Sequence, residues 1–241
     1  MDIRLALMCG TDIPVPECQL IIHQPKIKEI ALIGEKDFFV GYQTLLVNKN
    51  MLEQGENVPA NITNFQIFMT IMKEKEGLDK KEAVLQLFTL LFPDSKVSLL
   101  PASIIISGKG NTATIDENNF EFFQEALKSI FCFSSGRNDQ TTFNPGNEQA
   151  RQIAEKLMRG RARVAAQNGQ ANASIFSQYL SVITVGIGSM SLLDAMELTM
   201  YQMFDLIERY ALYVDWDIDI RARLAGASPD GKPENWMKNI H

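Results

Sequence analysis

Apolar and polar residues alternate along the first 131 residues in a pattern that predicts short strands and paired helices. The apolar runs at 2–8 and 18–22 are each too short for a long helix. Pro14 and Pro16 lie between them and require an extended or turning connection. We therefore expect two small strands near the start of the chain.

Helical spacing of apolar residues follows these runs. One helix is predicted from Pro25 to Gly34 and another from Asp37 to Val47. A third helix carries apolar residues at i, i+3, i+4 and i+7, which are Phe65, Phe68, Met69 and Met72. Asp79 is the predicted cap of a fourth helix that ends before Pro93. The polar residues 48–61 are predicted as the loop between the second and the third of these helices.

Three runs favouring β-structure come next, at 97–100, 103–106 and 112–115. Gly108–Asn111 joins the last two and is typical of a hairpin turn. Asp116 is the predicted cap of a helix with a single apolar stripe, formed by Phe120, Phe123, Leu127 and Ile130. Residues 1–131 are therefore predicted as an α+β region with short strands and helical hairpins.

The rest of the chain is predicted to be helical. A polar stretch rich in turn-forming residues, 132–147, is interpreted as a linker. Residues 148–226 are predicted as a helical region with a break at Gly186–Gly188, and 227–241 as an irregular tail. The fold class is thus α+β and mostly helical, with strands confined to the N-terminal region. Whether the C-terminal helices form a domain or pack back on the N-terminal part stays open.

The C-terminal helix carries apolar residues on two sides. One row follows a 3-4-3-4 spacing and comprises Leu193, Met196, Met200, Met203, Ile207, Tyr210 and Val214. A second row comprises Leu206, Tyr213, Trp216 and Ile220. A helix that is apolar on two sides is either central to its own bundle or shared with a partner protein. We favour burial in the protein's own core over contact with a partner. Because methionine is flexible and polarizable, its enrichment here favours an adaptable interface. The candidate partner-binding residues are Met196, Met200, Met203, Ile207, Tyr210 and Trp216.

Charge is distributed unevenly along a chain of 241 residues with a net charge of −6. Residues 147–170 hold five basic and two acidic residues, and Arg159 and Arg163 are further candidates for partner binding. Residues 194–220 hold seven acids and one arginine, so the two segments are complementary within a protomer or between copies. The global charge and the lack of interleaved aromatics argue against a nucleic-acid partner.

The residues that carry most catalysis are scarce. The two histidines, His23 and His241, lie near the two ends, and the three cysteines form no CxxC pair. Asp215–Asp219 resembles the start of a calcium-binding loop, but Ile220 stands where glycine is required and Gly226 where glutamate is. We therefore expect no enzyme, metal or cofactor. An enzyme that uses carboxylates or an undetected cofactor stays open as an alternative class.

Neither end of the chain nor its most apolar stretch predicts membrane insertion. The N-terminal apolar run is short and interrupted by Arg4, unlike a secretory signal. Ile175–Met190 is too short and too polar to span a bilayer. We expect a cytoplasmic protein.

The C-terminal block resembles a known family. The resemblance rests on Met200–Tyr210, Trp216–Ile218, Arg221–Gly226 and Asn235–Lys238, and it is to tail assembly chaperones of tailed bacteriophages. It implies a non-enzymatic protein of the host cytoplasm that binds the tape measure protein and helps recruit tail tube subunits. The family has no catalytic residues to transfer. The alternative is a structural virion component, such as a head–tail connector or other tail protein.

Overall fold

The computed structural model describes residues 2–49, 62–73, 78–108, 111–131, 174–188, 190–226, 232–233 and 235–237. The predicted linker 132–147 and the predicted helix that follows it, with Arg159 and Arg163, lie outside the described residues. Most of the predicted loop 48–61 and the centre of the predicted hairpin turn at Gly108–Asn111 do so as well.

The described residues form a helical protein with two small antiparallel sheets, which confirms the α+β class. The helices are α1 Ile3–Cys9, α2 Ile27–Ile33, α3 Glu35–Leu45, α4 Asn64–Lys73, α5 Leu78–Leu91, α6 Phe120–Ile130, α7 Ile175–Ile187, α8 Leu192–Met196 and α9 Met200–Leu224. The strands are β1 Ile13–Val15, β2 Leu20–Ile22, β3 Lys96–Leu100, β4 Ser103–Gly108 and β5 Asn111–Ile115.

The first apolar run is a helix, so the predicted strand at residues 2–8 is wrong. Asp2 caps α1, because its Oδ1 accepts the backbone N–H groups of Arg4 and Leu5 at 3.0 and 3.2 Å. Gly10 ends the helix with φ of 66°. The predicted strand at 18–22 is present as β2, which pairs antiparallel with β1.

The second sheet follows the prediction. β4 is its central strand and pairs antiparallel with β3 and β5. The core-facing side chains of β4 and β5 are buried: Ile104 and Ile106 lie on β4, and Ala113 and Ile115 lie on β5. The helix after it begins later than predicted, at Phe120 with Asn119 at the N-cap. Asp116 instead accepts the backbone N–H of Asn118 at 2.8 Å, so it forms the turn before the helix.

An aromatic cluster joins the N-terminal region to the C-terminal helices. Phe38 of α3 is fully buried, and its ring centroid lies 5.2 Å from that of Phe131 and 6.0 Å from that of Phe176. Phe131 follows α6, whereas Phe176 belongs to α7. Aromatic pairs at these distances are favourable beyond the area they bury. The cluster therefore attaches the C-terminal helices to the N-terminal region.

Backbone and ionic contacts make the same attachment from another side. The N–H of Ile27 donates to the carbonyl of Leu198 at 2.9 Å, beside an antiparallel bridge between Lys26 and Thr199. Glu197 accepts hydrogen bonds from Lys26 at 2.8 Å and Lys28 at 2.5 Å, which lower the pKa of its carboxyl group. The same contact raises the pKa of Lys26. The C-terminal helices thus pack back on the N-terminal region, and one continuous core includes residues of both.

The two described cysteines differ in environment, which predicts different reactivity. Cys18 is buried, and burial, followed by the charges of Glu17 and Asp116, raises the pKa of its thiol to about 11. Cys9 is exposed. The third cysteine, Cys132, lies outside the described residues and is removed by the C132S substitution. Since the thiolate is the nucleophile, we expect the C132S variant to show one rapidly alkylated thiol in the native state at pH 8 and two after denaturation. Two rapidly alkylated thiols in the native protein would contradict the burial of Cys18.

Candidate partner-binding surface on the C-terminal helices

The C-terminal apolar row is divided between two helices, so the predicted continuous row is wrong. Ser191 and Asp194 form a capping box that starts α8, and Thr199 and Gln202 form another that starts α9. Each capping residue has extended backbone angles, which interrupt the helix. Leu193 and Met196 therefore lie on a different helix from the rest of the row.

The first turns of α9 face the core. Met200 and Met203 are 1% and 0% exposed, and Tyr201 is buried beside them. The side-chain amide of Gln202 donates to the carbonyl of Met8 at 2.8 Å, which ties this end of α9 to α1. Met200 and Met203 were candidate interface residues, but both are packed inside the protein. The alternative considered for the row, burial in the core, therefore holds for these two residues.

The other sequence candidates are more accessible. Met196 on α8 and Ile207 on α9 are partly buried and pack against the core. Tyr210 and Trp216 are half-buried further along α9. Ile207, Tyr210 and Trp216 therefore lie on α9 beyond its first turns, which hold the buried Met200 and Met203. Arg159 and Arg163 lie outside the described residues.

The distal part of α9, defined as residues 206–224, buries no side chain completely. Twelve of its nineteen residues are apolar. Ile218 is 59% exposed and Leu224 83% exposed, and Tyr213 is also exposed. The distal part of α9 is therefore the candidate interaction surface among the described residues.

The charged residues of the distal part of α9 form ion pairs one turn apart. Arg221 Nε lies 2.8 Å from an oxygen of Asp217, and Arg223 Nε lies 3.0 Å from an oxygen of Asp219. The Arg221–Asp217 pair has an exposed arginine and contributes only a few tenths of a kilocalorie per mole, whereas the side chains of the Arg223–Asp219 pair are partly buried. Their effect is to keep this surface hydrated between its apolar residues.

Among the described residues, no cluster of three or more His, Cys, Asp or Glu is arranged to hold a metal ion.

Close packing holds α9 against α7. A β-carbon built on Gly186 would lie 2.6 Å from the ring of Tyr210, so the missing side chain makes room for that ring. Tyr179 and Phe204 pack edge to face with centroids 5.6 Å apart. The predicted helix break is present, but it lies at Gly188, which ends α7 with φ of 67°. Gly186 is a packing residue inside the helix.

The described residues of the tail contact the same surface. Arg209 donates to the carbonyl of Trp236 at 2.9 Å, and the rings of Tyr213 and Trp236 lie 5.6 Å apart. The described tail residues have no helix or strand. Trp236 thus extends the aromatic surface formed by Tyr213 and Trp216, whose centroids are 6.2 Å apart.

His23 is held between two carboxylates. Its Nδ1 lies 2.9 Å from Asp12 Oδ1, and its Nε2 lies 3.5 Å from Glu29 Oε2. The residue lines an open cavity of about 320 Å³ together with apolar side chains and four polar residues, which are Asp12, Gln19, Asp94 and Ser95. Because both ring nitrogens face carboxylates, the geometry is that of a structural contact between β2 and α2.

Among the helices that the structure describes, none is long and apolar enough to cross a membrane.

The match to known proteins falls on the C-terminal helices. Residues 169–241 match a family model described as the YomV second domain, which is associated with bacteriophages. The match supports a phage-related protein and includes α7, α8, α9 and the tail. No curated protein and no solved structure gives a significant match to the chain.

Proposed function

We propose that this chain is a non-enzymatic bacteriophage morphogenesis protein, a tail assembly chaperone that acts in the host cytoplasm. It binds the tape measure protein, keeps the apolar segments of that protein soluble and helps recruit tail tube subunits. The observation that carries the proposal is the distal part of α9, which buries no apolar side chain completely and exposes Tyr213, Ile218 and Leu224. The match of the same region to a phage-associated domain supports the phage setting.

The physical requirements of a client-binding helix agree with the distal part of α9. A chaperone needs accessible apolar side chains to cover those of its client, and charged neighbours to stay soluble before the client arrives. Tyr213, Ile218 and Leu224 supply the first requirement, and the Asp217–Arg221 and Asp219–Arg223 pairs supply the second. Tyr213, Trp216 and Trp236 add the aromatic side chains that dominate many protein interfaces.

Co-expression with the tape measure protein from the same genome tests this function. We expect the two proteins to co-purify and the soluble fraction of the tape measure protein to rise. Replacing Tyr213 and Ile218 together by Lys should reduce capture at least tenfold, because two charges then face the apolar client. A matched L32K variant changes an exposed leucine on α2 and should capture normally.

Two results would contradict the proposal. The first is the absence of both co-purification and increased solubility with the unmodified chain. The second is capture that the Y213K/I218K variant retains in full, while circular dichroism shows an intact fold. Mass spectrometry of purified virions separates the chaperone from the alternative, a structural tail or connector protein, because a chaperone is absent from the mature particle.

A further inference from the structure

We propose that Arg209 and Tyr213 form a binding site for an aromatic residue of a peptide segment, and that the chain's own tail occupies this site through Trp236 until a client displaces it. We call the two residues the tryptophan site. The occupant is part of the structure, because Trp236 contacts both of them. The identity of the client rests on the proposed function, whereas the occupation by the tail does not.

The tryptophan site lies on one face of α9. Arg209 and Tyr213 are four residues apart, so their side chains are neighbours on the helix surface. Trp216 follows three residues later and packs against Tyr213, with ring centroids 6.2 Å apart. A site built on a single helix holds its residues in place before a ligand arrives, which lowers the cost of binding.

The contacts of Trp236 show which chemistry the site recognises. Its ring meets that of Tyr213 at 80°, with centroids 5.6 Å apart, and its carbonyl accepts a hydrogen bond from Arg209 Nη1 at 2.9 Å. The first contact selects an aromatic ring and the second a backbone carbonyl. Carbonyls inside a helix are already bonded, whereas those of a turn or of the last helical turn are open. The fitting ligand is therefore an aromatic residue in a turn or at the C-terminal end of a helix.

The tail is held at this point mainly by one residue, which makes the contact displaceable. Trp236 is half-buried, whereas its neighbours Asn235 and Met237 are exposed. The turn around Trp236 is local, since the N–H of Met237 donates to Asn235 Oδ1 at 3.0 Å. After the entropy of ordering the tail is subtracted, one aromatic pair and one hydrogen bond favour the occupied site by about tenfold. A client that supplies its own aromatic residue and carbonyl competes with the tail, so weak ligands are excluded.

A fluorescein-labelled synthetic peptide of residues 230–241 tests the site without a client. Fluorescence anisotropy measures its binding to the full chain at up to about 1 mM protein. The W236A variant, whose site is open, should bind it with a dissociation constant of about 0.1 mM, given the millimolar effective concentration of a segment on the same chain. In the unmodified chain the tail competes, so the apparent dissociation constant should be about tenfold higher.

Controls on both sides of the contact accompany this measurement. The M237A variant, changed at a neighbour that is 67% exposed, should bind the peptide like the unmodified chain. Binding to W236A should be lost when the tryptophan of the peptide is replaced by alanine. It should also be lost in the Y213A/W236A variant.

Equal binding of the peptide to the unmodified chain and to W236A would overturn the occupation by the tail. Absence of binding to W236A would overturn the site itself. Circular dichroism follows the unfolding of each variant in urea. A W236A protein that fails to fold would also contradict the proposal, because a displaceable contact does not support the core.

Capture of the tape measure protein separates this inference from the proposed function. Because its site is open, W236A should bind that protein about tenfold more tightly than the unmodified chain. Capture that W236A leaves unchanged or weakens would overturn the displacement and leave the proposed function in place. No capture by any variant would contradict the proposed function, and with it the identity of the client, while the peptide assay still decides whether the tail occupies the site.

Discussion

Replacing Met200 and Met203 together by Ser is expected to unfold the protein at room temperature. Both side chains are almost completely buried at the start of α9. Truncating a buried methionine to a small residue costs about 2–5 kcal/mol, and an added buried hydroxyl group increases the loss. Two such losses are comparable to the ~5–15 kcal/mol that stabilises a typical domain. Circular dichroism in urea measures the effect as a fall in the transition midpoint or as the absence of a transition.

A matched pair on the same helix separates core from interface. Tyr213 and Ile218 are exposed, so the Y213S/I218S variant should lower the free energy of unfolding by only about 1–2 kcal/mol, mostly through the lost ring contacts of Tyr213 with Trp216 and Trp236. If the M200S/M203S variant instead folded normally and lost only client capture, the two methionines would belong to an interface. The comparison therefore decides between the two roles weighed for the methionine-rich row.

Gly41→Ala is expected to destabilise the protein, although alanine is the better helix former. The exchange gains about 1 kcal/mol of helix propensity in an unhindered helix. Here, however, the new β-carbon would lie 2.6 Å from the carbonyl oxygen of Ala83, because the backbones of α3 and α5 are in close contact at this point. The obstacle is backbone, so the two helices must separate. Overpacking of this kind costs about 1–3 kcal/mol or more, and we expect a net loss of about 2 kcal/mol.

Gln43 supplies the control for Gly41. It lies two residues away on α3 and is exposed, so Q43A should be neutral or slightly stabilising. Urea unfolding of the two variants compares propensity alone with propensity plus contact. A Gly41→Ala protein that is more stable than the unmodified chain would contradict the close approach of α3 and α5.

Helices with one apolar stripe were predictable from the sequence, because their spacing reports directly which side is buried. Phe65, Phe68, Met69 and Met72 lie in the core as their spacing indicates. The strands β3–β5 were predictable for a similar reason, since short β-branched runs separated by turn residues have few alternatives. Residues 3–9 misled because the run is too short to show a period. There the hydrogen bonds from Asp2 favour a helix.

The candidate surface was predictable only in part. The spacing from Leu193 to Val214 located the C-terminal apolar row, but it cannot show where one helix ends and the next begins. Serine at 191 with Asp194, and Thr199 with Gln202, are the signals that mark the two new starts. Only tertiary packing decides which face of an apolar helix is covered.

The burial of Met200, Tyr201 and Met203 against earlier parts of the chain also sets the order of events during translation. The surface that these residues cover stays open until the ribosome has added them, whatever forms first at the N-terminus. At ~5–20 residues per second, synthesis of residues 132 to 203 takes about 4 to 14 s. The nascent chain therefore exposes an incomplete core for seconds, and fragments that stop before α9 should be targets for proteolysis.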